Sequence, residues 1–147
     1  MVPEHIELKL PSQFTYIQPL QAFVGKLTEQ LGFCQTHIYN VQLIIDELCS
    51  NAIEHGSQSS TSGIELQLLI DSAQLEILIR DKGKENQQNW LATGRLDEVR
   101  REMAPDRIRG HGLYIANELA DHIEMHPNSL GGTDVRVSFN LPESEAT

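Results

Sequence analysis

Cysteine is scarce in this chain of 147 residues; Cys34 and Cys49 are the two present. They show no metal-ligand spacing and no disulfide framework, and a reducing, cytoplasmic compartment fits them. Cations are scarce too. Eleven Lys and Arg stand against 21 Asp and Glu, for a formal net charge of −10 and a pI near 4.9. That balance argues against a nucleic-acid backbone or an anionic membrane surface as the main partner, while leaving room for a small basic patch around a nucleotide. No apolar run approaches the roughly 20 residues that cross a bilayer. The opening MVPEHIELKL has an early acid and no apolar core, so no signal peptide is expected. What is present is ordinary globular material, 39% hydrophobic and 22% charged, in a length that suits one domain spanning 1–147.

Periodicity divides the chain. Ile6–Leu10 alternates as a strand does, and Pro11-Ser12 closes it. Phe14, Ile17, Leu20, Phe23, Val24 and Leu27 recur at helical spacing up to Gly32. Thr36 is the expected N-cap of a second helix that runs to about His55, with Gly56 as its stop. Residues 57–63 have loop composition. Ile64–Ile70 and Leu75–Ile79 alternate around the short turn DSAQ, which predicts a hairpin. The stretch 81–109 is polar and holds most of the arginines. It is too long for a structureless connector, and such a stretch is either a functional lid or disordered; a lid is expected over 84–109, with a short helix near Leu91–Met103. Leu113–Asp121 reads as a helix opened by Gly110-His111-Gly112. Ile123–Met125 reads as a strand, Pro127–Gly132 as a turn and Thr133–Leu141 as the last strand. This order predicts an α+β two-layer sandwich with helices on one face of a mostly antiparallel sheet.

The second helix carries an unusual border. At 100° per residue, Val41, Ile44, Ile45, Leu48 and Ala52 form the core stripe. Glu47, Asn51 and His55 line one edge of it, each about 5–6 Å from the next. Polar groups there either find partners or line a cavity, and spacing alone favours a solvated edge. Three more elements bear on the choice. Asp81-Lys82-Gly83 follows an apolar strand, where an aspartate can accept from a ligand amine and a glycine lets a flat ligand approach. Gly110-His111-Gly112 opens a helix, where exposed backbone N–H groups suit an anion. Gly131-Gly132-Thr133 opens the last strand. Each is also a common turn or helix start.

Together and in this order, the four elements resemble the GHKL ATPase family, the Bergerat-fold nucleotide sites of histidine kinases and gyrase. The compact ELCSNAIEHG, and the absence of a phospho-acceptor helix pair before residue 6, make the chain most similar to the bacterial anti-sigma factor serine/threonine kinases. The resemblance covers about residues 6–141 and implies an ATP- and Mg²⁺-dependent protein kinase. Glu47 would polarise the attacking serine hydroxyl and Asn51 would ligate Mg²⁺. Asp81 would receive the adenine amino group, with Gly83 giving the base room. Gly110 and Gly112 would hold phosphate through backbone amides, and Thr133 would support the adenine. His55 stands where relatives often carry a basic or aromatic residue. Candidate lid cations are Arg95, Arg100, Arg101, Arg107 and Arg109. The implied partner is a STAS-domain anti-anti-sigma protein, with a sigma factor as a second target and a homodimer as the assembly. Phe14, Tyr16 and Ile17 suit either a dimer surface or the core. The sequence departs from the family pattern at Lys84-Glu85, where a second small residue is usual. That departure leaves open an alternative, a nucleotide-responsive protein-binding module of the same fold without kinase activity.

Overall fold

The computed structural model describes residues 2–56, 63–82, 116 and 118–142. Its elements are β1 (Glu4–Pro11), a 3-10 turn (Phe14–Tyr16), α1 (Ile17–Gln30), α2 (Gln35–Asn51), a π-helical turn (Ala52–Gly56), β2 (Gly63–Ile70), β3 (Gln74–Arg80), β4 (His122–Pro127) and β5 (Thr133–Asn140). The strands form one five-stranded sheet in the order β1-β2-β3-β5-β4, and every pairing is antiparallel. The expected sheet is therefore present and is antiparallel throughout.

Alternation sorts the sheet into two faces. Ile64, Leu66, Leu68 and Ile70 of β2 are buried, as are Leu75, Ile77 and Ile79 of β3 and Val135, Val137 and Phe139 of β5. All join one cluster with Leu20 and Val24 of α1 and Val41, Ile44, Ile45 and Leu48 of α2. The two helices thus cover one face. The other face carries polar pairs such as Arg136–Glu76 (2.6 Å) and Arg80–Asp134 (2.9 Å). The outermost strands end in prolines, Pro11 and Pro127, and β4 carries His122, Glu124 and His126. A polar, proline-closed edge discourages pairing with another sheet.

Local chemistry sets the helix limits. Pro19 sits in the first turn of α1, where its missing N–H costs nothing. The helix ends at Gly32, whose φ of 93° is the left-handed cap that glycine tolerates best. Phe33 then docks in the core, and Cys34 is extended, so α2 starts at Gln35 with the Ile38 N–H on the Cys34 carbonyl (2.9 Å). This corrects the expected cap, because burial of Phe33 fixes the chain's entry two residues before Thr36. Phe23 is also off the core stripe and is 41% exposed. Phe14 and Tyr16 are exposed while Ile17 is buried, which splits the trio between surface and core. The two helices are clasped by an amide exchange. The Gln21 amide donates to the Gln42 carbonyl (2.9 Å), and the Gln42 amide donates to the Gln21 carbonyl (3.0 Å). Gly25 makes room for this, since a Cβ there would collide with the Gln42 amide.

Candidate functional site

The register of the sheet brings Asp81 and Thr133 together. Arg80 pairs with Asp134 across β3 and β5, so the next residue on β3, Asp81, meets Thr133. Asp81 continues the series Leu75, Ile77, Ile79, which puts it on the helix-covered face. Both residues are buried, Asp81 at 6% exposure and Thr133 at 7%. They exchange two bonds. The Asp81 N–H donates to the Thr133 carbonyl (3.1 Å), and the Thr133 N–H donates to Asp81 Oδ1 (3.1 Å). The aspartate expected at a strand end thus shares one polar corner with the threonine expected at a strand start.

The C-terminal part of α2 lies over this same end of the sheet. A small apolar cleft is lined by Cys49 and Ile53 together with Leu10, Pro11, Ile64 and Leu66. Leu10 pairs with Ile64, Glu65 with Arg80, and Arg80 with Asp134, so this end is the Asp81–Thr133 end. The start of α2 lies at the opposite end, where a cavity of about 250 Å³ is lined by His37 and Asn40 with Phe139 and Asn140. Glu47 and Asn51 are half-buried and stand one turn apart near the end of α2. The end of the helix that bears them is thus at the same end of the sheet as Asp81 and Thr133.

Two local features frame that row. The α-helical bonding of α2 stops at Asn51, and Ala52–Gly56 winds as a π-turn, the wider geometry that often marks functional positions. The expected continuous α-helix to His55 is thus replaced by α-helix and then π-turn. The His55 side chain lies outside the described residues. Cys49 is buried on the opposite edge of the core stripe, against β1 and β2. Burial, aided by the Asp46 charge, pushes its thiol up to about 12, so it stays protonated at neutral pH and offers no nucleophile. Across the sheet end, on the outer face, a cavity of about 160 Å³ is lined by Lys9, Arg80 and Lys82 with Glu65 and Leu130, a local gathering of cations in an acidic chain.

Asn128, which neither periodicity nor motif spacing singles out, ties this corner together. Its amide nitrogen donates to the Asp81 carbonyl (2.8 Å) and to Asp134 Oδ1 (3.0 Å). Its amide oxygen accepts from the N–H groups of Leu130 and Gly132 (2.9 Å each). Asp134 in turn takes a bidentate bond from Arg80 (2.9 and 3.0 Å). Burial raises the Asp134 carboxyl, but the Arg80 guanidinium and the Asn128 amide outweigh it and hold the group below the usual aspartate range. Gly131 closes the turn with a φ of 86°. The available signal was an asparagine opening a glycine-rich turn, which is a common side-chain-to-backbone arrangement. Gly83, Gly110, Gly112, the span 84–109 and the five arginines within it lie outside the described residues.

Among the described residues, no group of three or more His, Cys, Asp or Glu is placed to hold a metal ion, and no helix is long and apolar enough to cross a membrane.

Comparison with known proteins bears on this arrangement. Residues 10–139 match the model of the histidine kinase-like ATPase domain. A serine-protein kinase RsbW of Bacillus pumilus is 24% identical over 135 residues, covering 84% of this chain and 79% of the relative. One from Bacillus cereus is 28% identical over 131 residues, covering 86% and 81%. A crystal structure of the RsbU and RsbW domains of a Mycobacterium tuberculosis protein superposes with a TM-score of 0.67 at 18% identity. It covers 98% of this chain, which spans 35% of that larger one. That superposition is a match of fold, two helices on a five-stranded antiparallel sheet.

Proposed function

As the chain belongs to the histidine kinase-like ATPase domain family, we propose that it binds ATP at the Asp81–Thr133 end of the sheet and phosphorylates a serine or threonine of a STAS-type anti-anti-sigma partner. The observation that carries the reading is the buried Asp81–Thr133 corner, at the same end of the sheet as the C-terminal part of α2. A buried carboxylate at that point suits the adenine amino group. Thr133, bonded to it through the backbone, stands beside it to support the base. The relatives named serine-protein kinase support phosphoryl transfer to a hydroxyl.

The donor set also fits Mg²⁺. That ion keeps several waters and substrate phosphates and needs few protein ligands, so the single amide oxygen of Asn51 is an adequate protein contribution. When bound, Mg²⁺ neutralises charge on the phosphate oxygens. Glu47, one turn away, orients the incoming hydroxyl and takes its proton. The serine oxygen forms the new bond to the γ-phosphorus as the bond to the β,γ-bridging oxygen breaks, and ADP leaves with that electron pair. Nucleotide contacts from Gly83, Gly110 and Gly112 and a lid over 84–109 are part of the proposal. A sigma factor as a second target, a homodimer and a cytoplasmic location belong to the same proposal.

Transfer of labelled γ-phosphate from Mg-ATP to a STAS partner tests it. Glu47→Gln should lower the rate at least about a hundredfold, the usual scale of general-base loss, while ATP affinity stays within a few-fold. Wild-type transfer by Glu47→Gln would remove Glu47 from this role.

A further inference from the structure

Asn128 is used to capacity. A primary amide offers two N–H donors and an oxygen with two lone pairs, and all four are engaged here, two outward from Nδ2 and two inward to Oδ1. The amide joins three things that are distant in sequence. These are the Asp81 carbonyl at the end of β3, the Asp134 carboxylate in β5, and the turn 128–132. Its own backbone completes the turn, with the Asn128 N–H on the Gly132 carbonyl (3.0 Å) and the Gly131 N–H on the Asn128 carbonyl (3.3 Å). The residue after this turn is Thr133, whose N–H aims Asp81 Oδ1. The turn therefore contributes to the direction of the Asp81 carboxylate, and the turn is held by Asn128. Arg80, holding Asp134 with two bonds, braces the clamp from the outer face.

We propose that Asn128 is a positioning residue that sets the preference for adenine over guanine by fixing the Asp81 carboxylate. The inference rests on the adenine role given to Asp81 above. Adenine presents an amino donor where guanine presents a carbonyl acceptor. A carboxylate held in one direction attracts the first and repels the second. One that can swing away from the base loses both effects. Discrimination therefore comes from rigidity as much as from the presence of the acid, since a site built around a fixed polar group rejects a mismatched partner far more strongly than a loose one does.

The test is calorimetric titration of ATP and of GTP into the 147-residue chain, for wild type, Asn128→Asp, Asp81→Asn and the double variant. Asn128→Asp keeps the oxygen that Leu130 and Gly132 use but turns the donor side into an acceptor facing the Asp81 carbonyl and Asp134. The ATP-to-GTP affinity ratio should fall about tenfold, the value of one well-made hydrogen bond. The double variant should fall no further than Asp81→Asn alone, because both changes act through one carboxylate. An unchanged ratio in Asn128→Asp, or effects that add in the double variant, would overturn the inference. The ratio is measured on one preparation, so a partly unfolded sample does not disguise the result. If Asn128→Asp does not fold, Asn128→Ser is read in the same way. A wild-type chain that binds neither nucleotide, or binds both equally, defeats the adenine reading and this inference with it, and does so before any variant is made.

Discussion

Strand β3 has an aspartate beyond each end, Asp71 before it and Asp81 after it, and the two hold backbone in opposite styles. Asp71 Oδ1 accepts from the N–H groups of Ala73 (2.7 Å) and Gln74 (2.8 Å), its neighbours two and three residues on. It is only half-buried, and it closes the hairpin between β2 and β3. Asp81 is buried, and its Oδ1 accepts from the N–H of Thr133, 52 residues away. Asp71 needs nothing but its own turn. The position of Asp81 requires the completed sheet, the 128–132 turn and the Arg80–Asp134 pair. A carboxylate so expensively placed is more than a turn former, since a local turn needs no burial of a charged group.

The sharpest way to break this contrast is to make the same change at both ends. Asp81→Asn leaves a single acceptor oxygen, which has to serve either the Thr133 N–H or the adenine amine, while the new NH₂ faces the other. ATP affinity, read by calorimetry, should fall about tenfold to a hundredfold. Asp71→Asn retains the one oxygen that does the work in its turn, so ATP affinity should be unchanged. Equal affinities for the two variants would mean that the Asp81 end has no privileged relation to nucleotide.

A smaller effect separates the two ends by stability. Asp71→Ala removes both local bonds from an accessible turn, where water replaces them in part. The expected loss is about 1 kcal/mol, or a fall of about 3 °C in the melting temperature of a chain this size. It should be followed by circular dichroism, and nucleotide affinity should again be untouched. A loss of several kcal/mol would show that Asp71 supports more than its own hairpin.

The same division explains what could be read from sequence. The β2–β3 hairpin was legible because IELQLLI, DSAQ and LEILI carry period and turn chemistry within a short span, and the strands appear as Gly63–Ile70 and Gln74–Arg80. The stripe of Val41, Ile44, Ile45, Leu48 and Ala52 was legible too, and all five are buried. Periodicity could not pair Asp81 with Thr133, because that contact is a property of β3–β5 register. The order of motifs pointed to a shared site through family resemblance alone. The link from Asn128 to Asp81 was hidden for the same reason, since only the sheet brings its amide nitrogen to the Asp81 carbonyl. The start of α2 was misplaced because capping preference is a local signal, and the docking of Phe33 in the core overrode it.

The smallest effect concerns pH, at the outer brace of the Asp81 end. Burial favours a protonated Asp134, yet the Arg80 bonds prevail and the folded carboxyl titrates below its ordinary range. A group depressed in the folded state gives stability that is present above its unfolded pKa, near 3.9 for aspartate, and is lost as pH falls through the lower folded value. The brace should therefore be intact at neutral pH and weaken only below about pH 4. The pair is partly exposed, 33% for the Arg80 side chain and 20% for that of Asp134, so solvent screening keeps its contribution under about 1 kcal/mol. Urea unfolding of wild type and Asp134→Asn across this range should show the variant already weaker at neutral pH and the two curves converging in acid. Parallel curves would place the acid sensitivity elsewhere, and would leave Arg80 and Asp134 as a brace by geometry rather than by charge.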